Sequence, residues 1–309
     1  MKYYFGIDVG GTTVKLGIFT QEGKLVDKWE IPTRTECQGE NILPDIAGSV
    51  KDKMKETGIP ESKIGGIGAG VPAPVKKDGF VEKSANLGWT DKEVKKELEK
   101  LTGIPAAIGN DANVAALGEM WMGAGRGFSD IIMVTLGTGV GGGIIVGGRP
   151  LCGSHGAGGE IGHITVNETE TQLCGCGRKG CLEQYASATG IVRLAERYLE
   201  NEKRDSILRQ GKITAKDVFD GAKAGDNVAV KITEQFAACL GQALVNLAAI
   251  LDPEAFVIGG GVSRAGDYLL DLIKKYFYEK AFYGNKDTKI MLATLGNDAG
   301  IYGAAKLCF

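Results

Sequence analysis

Short apolar runs alternate along this chain with longer runs of helical period, and each change of period marks a new element. "FGIDVGGTTVKLGIF" near the N-terminus reads as two apolar strands joined by a glycine-rich turn. "VTLGTGVGGGIIVGG" repeats that arrangement: residues 11–19 align with 137–145 at the Gly–Thr pair, the valine, the later glycine and the isoleucine. A weaker echo relates "IGAGV" at 67–71 to "IGGGV" at 258–262. The echoes come in the same order, one set in each half, and predict a duplicated α/β domain.

Between these strands the spacing predicts helices. In 91–104, "DKEVKKELEKLTGI", Val94, Leu98 and Leu101 recur at three-to-four spacing among lysines and glutamates, a solvated helix with one apolar face. "DANVAALGEMWMGAG" (111–125) starts at an Asp or Asn cap and ends in glycine. "NVAVKITEQFAACLGQALVNLAAILDP" (227–253) is a long apolar-periodic helix stopped by Asp-Pro and followed by the strand "AFVIGG". "NDAGIYGAAKLCF" closes the chain as a short helix. Strands alternating with helices, with a hairpin heading each half, indicate an α/β protein with mixed sheets.

Composition narrows the class. At 309 residues the chain is long for one core and suits two domains. A net charge of −2 exerts no general pull on nucleic acid or an anionic membrane. No apolar run approaches the roughly 20 residues that span a bilayer. The opening "MKYYFGIDVGG" lacks signal-peptide architecture, so a cytoplasmic location with reduced cysteines is expected. Glycine is the outlier, 48 residues, about twice the usual ~7%. Most sit at the ends of apolar strands, where backbone N–H groups can approach a ligand closely; repeated four times, that points to an anionic group.

Three stretches could carry chemistry. In "IDVGGTTVK", a strand delivers Asp8 to its end, and Gly10, Gly11, Thr12 and Thr13 form a turn rich in N–H and hydroxyl donors. The turn suits phosphate, and Asp8 could orient Mg²⁺ through water, although a tight hairpin capped by Asp8 has the same sequence. In "IGNDANVAALGE", Asn110 and Asp111 fall where a strand gives way to a helix. The residues alone favour a cap; a general base is the functional alternative. In "GEIGHITVNETETQLCGCGRKGCLEQ", His163, Cys174, Cys176 and Cys181 make one nitrogen and three sulfur donors, a complete tetrahedral set for Zn²⁺. Four protein ligands leave no open position for a reacting water, which favours a structural metal; a CxC redox pair is the other reading. Glu160 and Glu183 bracket these ligands.

Taken together, "DVGGT", "GND" before a helix, "LGTGVGGG", "GEIGH", "CGCGRKGCLE" and "IGGGV", in that order along the whole chain, resemble the ROK family of sugar kinases, nearest its bacterial ATP-dependent glucokinases. The resemblance implies two ribonuclease-H-like domains of the actin/hexokinase type around a central cleft. Residues 1–117 with 297–309 would form the smaller domain. Residues 118–296 would form the larger, carrying the zinc loop and part of the nucleotide site. It implies ATP-dependent transfer of phosphate to the 6-hydroxyl of a hexose, glucose first, at the head of glycolysis. Mannose, fructose, allose, N-acetylmannosamine and N-acetylglucosamine are the alternative substrates, polyphosphate an alternative donor, and a non-catalytic sugar sensor the alternative class.

Residue by residue, the resemblance makes Asp111 the base. Asn86, Asn110, Glu160, His163 and Glu183 would contact the sugar. Gly10, Gly11, Thr12, Thr13, Lys15, Gly137 and Thr138 would line the phosphates, with Asp8 on Mg²⁺. Gly260, Gly261 and Val262 would lie against the adenosine, and one Zn²⁺ would be structural. A homodimer is implied, with neither nucleic acid nor membrane as partner. Family repressors carry an N-terminal helix-turn-helix; here the first strand is expected from residue 3, which favours the enzyme.

Overall fold

The computed structural model describes residues 1–309. Strand β1 (Tyr3–Val9) pairs antiparallel with β2 (Thr13–Thr20), which pairs antiparallel with β3 (Leu25–Pro32). On its other side β1 takes β4 (Ile64–Val71) in parallel. After a separate hairpin of β5 (Val81–Ser84) and β6 (Trp89–Lys92), strand β7 (Ala106–Asn110) joins β4, again in parallel. A second five-stranded sheet holds β8 (Ile131–Leu136), β9 (Val140–Val146), β10 (Arg149–Pro150), β11 (Ala255–Gly259) and β12 (Lys289–Leu292).

The two sheets share one spatial order: third, second, first, fourth and fifth strand in chain order. The sequence echoes fall on equivalent places in that order. The Gly–Thr stretches join first to second strand, and the "IGxGV" stretches end the fourth. The chain divides into two compact units, residues 1–133, 143–159 and 294–309 in one and residues 134–142 and 160–293 in the other.

In the first unit both faces of β1 are covered, which is why its sequence reads as almost continuously apolar. Phe5, Ile7 and Val9 point into a core completed by Ile42, Leu43, Ile46 and Val50 of the helix Ile42–Thr57 and by Val94 and Leu98 of the helix Val94–Thr102. Tyr4 lies on the opposite face with Phe19, Ile301 and Ala305. The helix Val94–Thr102 begins later than its periodicity suggests, because Asp91 and Lys92 are taken up by β6.

The C-terminal helix Ala299–Lys306 lies directly on this second face, and glycines make the approach possible. A Cβ on Gly6 would overlap the carbonyl of Ile301, and one on Gly68 the carbonyl of Ala304. Since backbone rather than a mobile side chain stands in the way, Gly68→Ala is expected to lower the unfolding free energy by about 3 kcal/mol, the upper end for overpacking. Urea denaturation would show this, and a change below about 0.5 kcal/mol, the scale of an ordinary surface substitution, would contradict it. The fully buried Glu119 carboxylate secures the same helix from the other end. It accepts from the N–H groups of Ala124 and Leu295, both at 2.8 Å, and of Thr294 at 3.1 Å.

The second unit is built around the 25-residue helix Asn227–Leu251. The Asp226 side chain caps it by accepting from the Val228 and Ala229 N–H groups, and it ends at Asp252 in the left-handed region just before Pro253. Length and composition alone would let this helix cross a membrane. Its buried positions, Ile232, Phe236, Leu240, Leu244 and Leu247, instead recur at helical spacing along one face inside the unit.

Candidate active site

Strand pairing lines up the first group of residues. Across the parallel strands β1, β4 and β7, Asp8 is level with Gly70, and Gly70 with Gly109, so Asn110 and Asp111 stand just past the same sheet edge. In open α/β sheets the carboxyl ends of parallel strands are where ligands bind. The turn after Asp8 is closed by the Gly10 N–H donating to Thr13 O at 3.0 Å and pinned by Thr33, whose hydroxyl donates to Gly10 O at 2.7 Å. Gly11 and Thr12 are left exposed at its tip, and Asn86, exposed in the turn between β5 and β6, stands beside Gly11.

Burial pushes the Asp8 carboxyl above the usual carboxylate range, opposed in part by Lys15 directly across the β1–β2 ladder. A divalent cation alongside would favour the ionised form. The Lys15 ammonium donates to Asn297 O at 3.3 Å.

Asn110 and Asp111 divide the work at the start of the helix Asp111–Met122. Asn110 is the cap, its side-chain oxygen accepting from the N–H groups of Ala112 and Asn113 at 3.0 and 3.2 Å. Its amide also donates to Ala73 O at 3.2 Å, leaving one N–H for a ligand. Asp111 is the first helical residue, half-buried, with one carboxylate oxygen 2.8 Å from the Ala112 N–H. The capping reading of this motif therefore belongs to Asn110, and Asp111 adds a carboxylate where the helix dipole favours negative charge.

In the second unit the other glycine turns sit at the ends of β8 and β11. The Gly137–Gly139 turn is held by Ala188 N–H donating to Gly137 O at 2.8 Å and by the Thr189 hydroxyl donating to Thr138 O at 2.6 Å. Gly260 has φ of 83°, and a Cβ there would lie 2.5 Å from Leu136 O, so only glycine lets the β11 turn rest on the end of β8. Gly261 and Val262 border a cavity of about 430 Å³, also lined by Ala188, Thr214, Phe219 and Arg264. That volume falls in the range of small-molecule pockets.

The cysteine-rich stretch folds into a knuckle. Bridges join Thr165 to Cys181 and Leu173 to Lys179, and Cys174 N–H donates to Arg178 O at 2.7 Å. The ligand atoms of His163, Cys174, Cys176 and Cys181 all lie within 4.8 Å of one another. His163 Nδ1 is 3.8 Å from Cys174 Sγ, and the sulfurs of Cys176 and Cys181 are 3.6 Å apart. A tetrahedron built on metal–sulfur bonds of about 2.3 Å has edges of roughly 3.8 Å, so the set is already close to the geometry such a centre needs. Burial pushes the Cys174 thiol up to about 12 and raises that of Cys181. The backbone at Arg178 lowers the Cys176 thiol instead, so two of the three sulfurs are buried where a thiolate is unfavourable unless a cation holds it.

The remaining candidates surround the knuckle. Glu183 Oε1 lies 2.9 Å from Cys174 Sγ and 3.8 Å from His163 Nδ1, while Glu160 Oε2 lies 4.0 Å from His163 Nε2. The imidazole therefore turns one nitrogen to the sulfurs and the other toward Glu160.

Each unit thus gathers its own set. Asp8, the first glycine turn, Asn86, Asn110 and Asp111 belong to the first; Gly137, Thr138, Glu160, His163, Glu183, Gly260 to Val262 and the three cysteines belong to the second. Sequence reasoning missed the cavity's Thr214, Phe219 and Arg264. Only the capping box of Thr214 with Asp217 was legible there, as a helix start.

Comparison with known proteins agrees with this arrangement. The chain is 46% identical over 312 residues to the glucokinase of Halalkalibacterium halodurans, covering 99% of this chain and 94% of that protein. Among solved structures, the Streptomyces griseus ROK family glucokinase in complex with glucose and AMPPNP matches with a TM-score of 0.76 and 35% identity, covering 99% of this chain and 98% of that one. The ROK hexokinase of Thermus thermophilus matches with a TM-score of 0.84 and 32% identity, over 99% and 97% of the two chains. The profile described as the ROK family spans residues 4–309. Sheet order, glycine turns, knuckle and relatives agree, and the chain belongs to the ROK family.

Proposed function

We propose that this chain transfers the γ-phosphoryl group of ATP to the 6-hydroxyl of a hexose, with glucose the preferred sugar. The observation that carries the reading is the row Asp8–Gly70–Gly109 across the parallel strands, ending at Asp111 on a helix N-terminus whose cap is supplied by its neighbour. The glucokinase relatives support glucose as the acceptor.

In this reading Asp111 accepts the proton of the 6-hydroxyl as that oxygen attacks phosphorus. The O6–P bond forms, the bond to the β-phosphate oxygen breaks, and ADP leaves. Little covalent work falls to the protein in such a transfer, so positioning and charge dominate. Gly10, Gly11, Thr12, Thr13 and Lys15, with Gly137 and Thr138, line the phosphates, and Gly260, Gly261 and Val262 meet the adenosine at the 430 Å³ cavity. Asp8 would be the residue that holds Mg²⁺ brought with the nucleotide, and the ion would supply charge neutralisation at the phosphate oxygens.

Asn86, Asn110, Glu160, His163 and Glu183 hydrogen-bond the sugar hydroxyls. His163, Cys174, Cys176 and Cys181 hold one Zn²⁺, which cross-links the knuckle and leaves the chemistry to Asp111. Seven cysteines without a disulfide support a reducing compartment, and with it a cytoplasmic enzyme feeding glycolysis. Family resemblance supports a homodimer.

An assay coupling ADP release to NADH oxidation, run across glucose, mannose, fructose, allose, N-acetylglucosamine and N-acetylmannosamine, tests the reading. Glucose is expected to give the highest kcat/KM, by about tenfold or more over the N-acetyl sugars, the scale of discrimination that pocket shape supplies. ADP release independent of every sugar would sink it.

A further inference from the structure

The ten residues between His163 and Cys174 could be a slack connection, and Glu170 makes them the reverse. Its carboxylate is 1% exposed, and six donors converge on it. Arg197 reaches both oxygens, at 2.9 and 2.8 Å, and the Tyr185 hydroxyl donates at 2.6 Å. Arg193 donates at 3.3 Å, and the N–H groups of Thr171 and Gln172 both donate at 2.9 Å. The Arg197 hydrogen bonds, foremost among these, hold the Glu170 carboxyl well below the usual carboxylate range.

The partners lead straight back to the knuckle. Arg193 also donates to Gln184 O at 2.6 Å, the Gln184 side chain donates to Gln172 O at 3.1 Å, and its oxygen accepts from the Cys181 N–H at 3.1 Å. The Tyr185 hydroxyl accepts from Asn167 at 2.8 Å. Gln184 and Tyr185 directly follow Glu183 in the short helix Glu183–Ala186. One buried carboxylate thus fastens the loop that joins the first metal ligand to the second onto the turn that carries Glu183. Arg193 and Arg197 stand on the helix Ala188–Asn201, whose cap, Ser187, accepts from Gly190 N–H at 2.9 Å and donates to Glu183 O at 2.6 Å.

We propose that Glu170 is the positioning residue for the sugar-binding side of the second unit: it sets where Glu183 and the cysteine knuckle stand, and through them hexose affinity. This rests on the sugar-kinase reading above. Groups that orient metal ligands and their neighbours typically account for 10–100-fold in affinity or activity. In the zinc-loaded full chain, Glu170→Gln is therefore expected to raise the glucose KM about tenfold or more, and by more than it raises the ATP KM. Loss of zinc to EDTA should also be about tenfold faster.

Tyr185→Phe, which removes one donor and leaves both arginine pairs, should shift the glucose KM the same way by about threefold, a smaller part of the same effect. A Glu170→Gln protein with a lower Tm but unchanged glucose KM and zinc loss would make Glu170 a stability element only. If that variant does not fold, a wild-type glucose KM in Tyr185→Phe overturns the proposal. Should the unsubstituted protein phosphorylate no hexose, the kinase reading fails on its own, and the rate of zinc loss from Glu170→Gln still decides this one.

Discussion

Asp111→Asn is expected to lower kcat for glucose phosphorylation by about 10²–10⁴-fold, the range supplied by a positioned general base. The glucose dissociation constant should stay within about threefold, because the amide keeps the shape and hydrogen-bonding reach of the carboxylate and loses its basicity. The helix cap is made by Asn110, which accepts from both Ala112 and Asn113, so the substitution leaves the helix start intact. The substitution also removes a favourable charge at the helix N-terminus, worth about 0.3–1 kcal/mol. Steady-state kinetics with a glucose-binding titration on the same preparation checks it. A kcat within tenfold of the unsubstituted protein would remove Asp111 from the chemistry, and a large loss of glucose affinity would make it a binding group.

The knuckle carries the second large effect. Cys181 is fully buried, and its sulfur lies 3.6 Å from that of Cys176. Cys181→Ser replaces a soft thiolate by a hydroxyl that binds zinc poorly, and the buried site offers no room for a compensating ligand. Zinc content by atomic emission is expected to fall from about one per chain to near zero, since a four-ligand site loses its closed shell. Glucose KM should rise at least about tenfold, because Glu183 and His163 are held by the same knuckle. Thermal melting should fall as well, since metal-binding free energy in such sites is folding free energy. Zinc-free protein with unchanged glucose KM and melting would show the cluster to be reduced cysteines and nothing more. Full zinc occupancy in the variant would take Cys181 out of the ligand set.

These two tests concern residues that were visible in the sequence, and the reason is chemical. The Asp8 turn, the "GND" junction and the His–Cys spacing are local: each packs its functional groups into a few neighbouring residues, where the pattern of residue types carries the meaning. The long helix stopped at Asp252-Pro253 and the repeated Gly–Thr turns were legible for the same reason. Other features depended on partners far away in the chain. The helix Val94–Thr102 lost its first residues to β6, a pairing partner at Val81–Ser84 that helical spacing does not register.

The amino-acid sequence by itself determined the α/β class, the duplicated strand-and-turn motifs, the strand-end glycine turns and the His–Cys donor set, because each follows from short-range period, turn chemistry or donor type. Only the tertiary structure decided that Asn110 takes the cap beside Asp111, that the C-terminal helix needs Gly6 and Gly68 bare, and that Glu170 is anything more than one carboxylate in "NETETQ". Nothing in that string distinguishes Glu170 from Glu168. What separates them is Arg197, 27 residues on, meeting the carboxylate where solvent cannot. Local pattern names groups that act through their neighbours in sequence; a buried charge takes its meaning from neighbours in space.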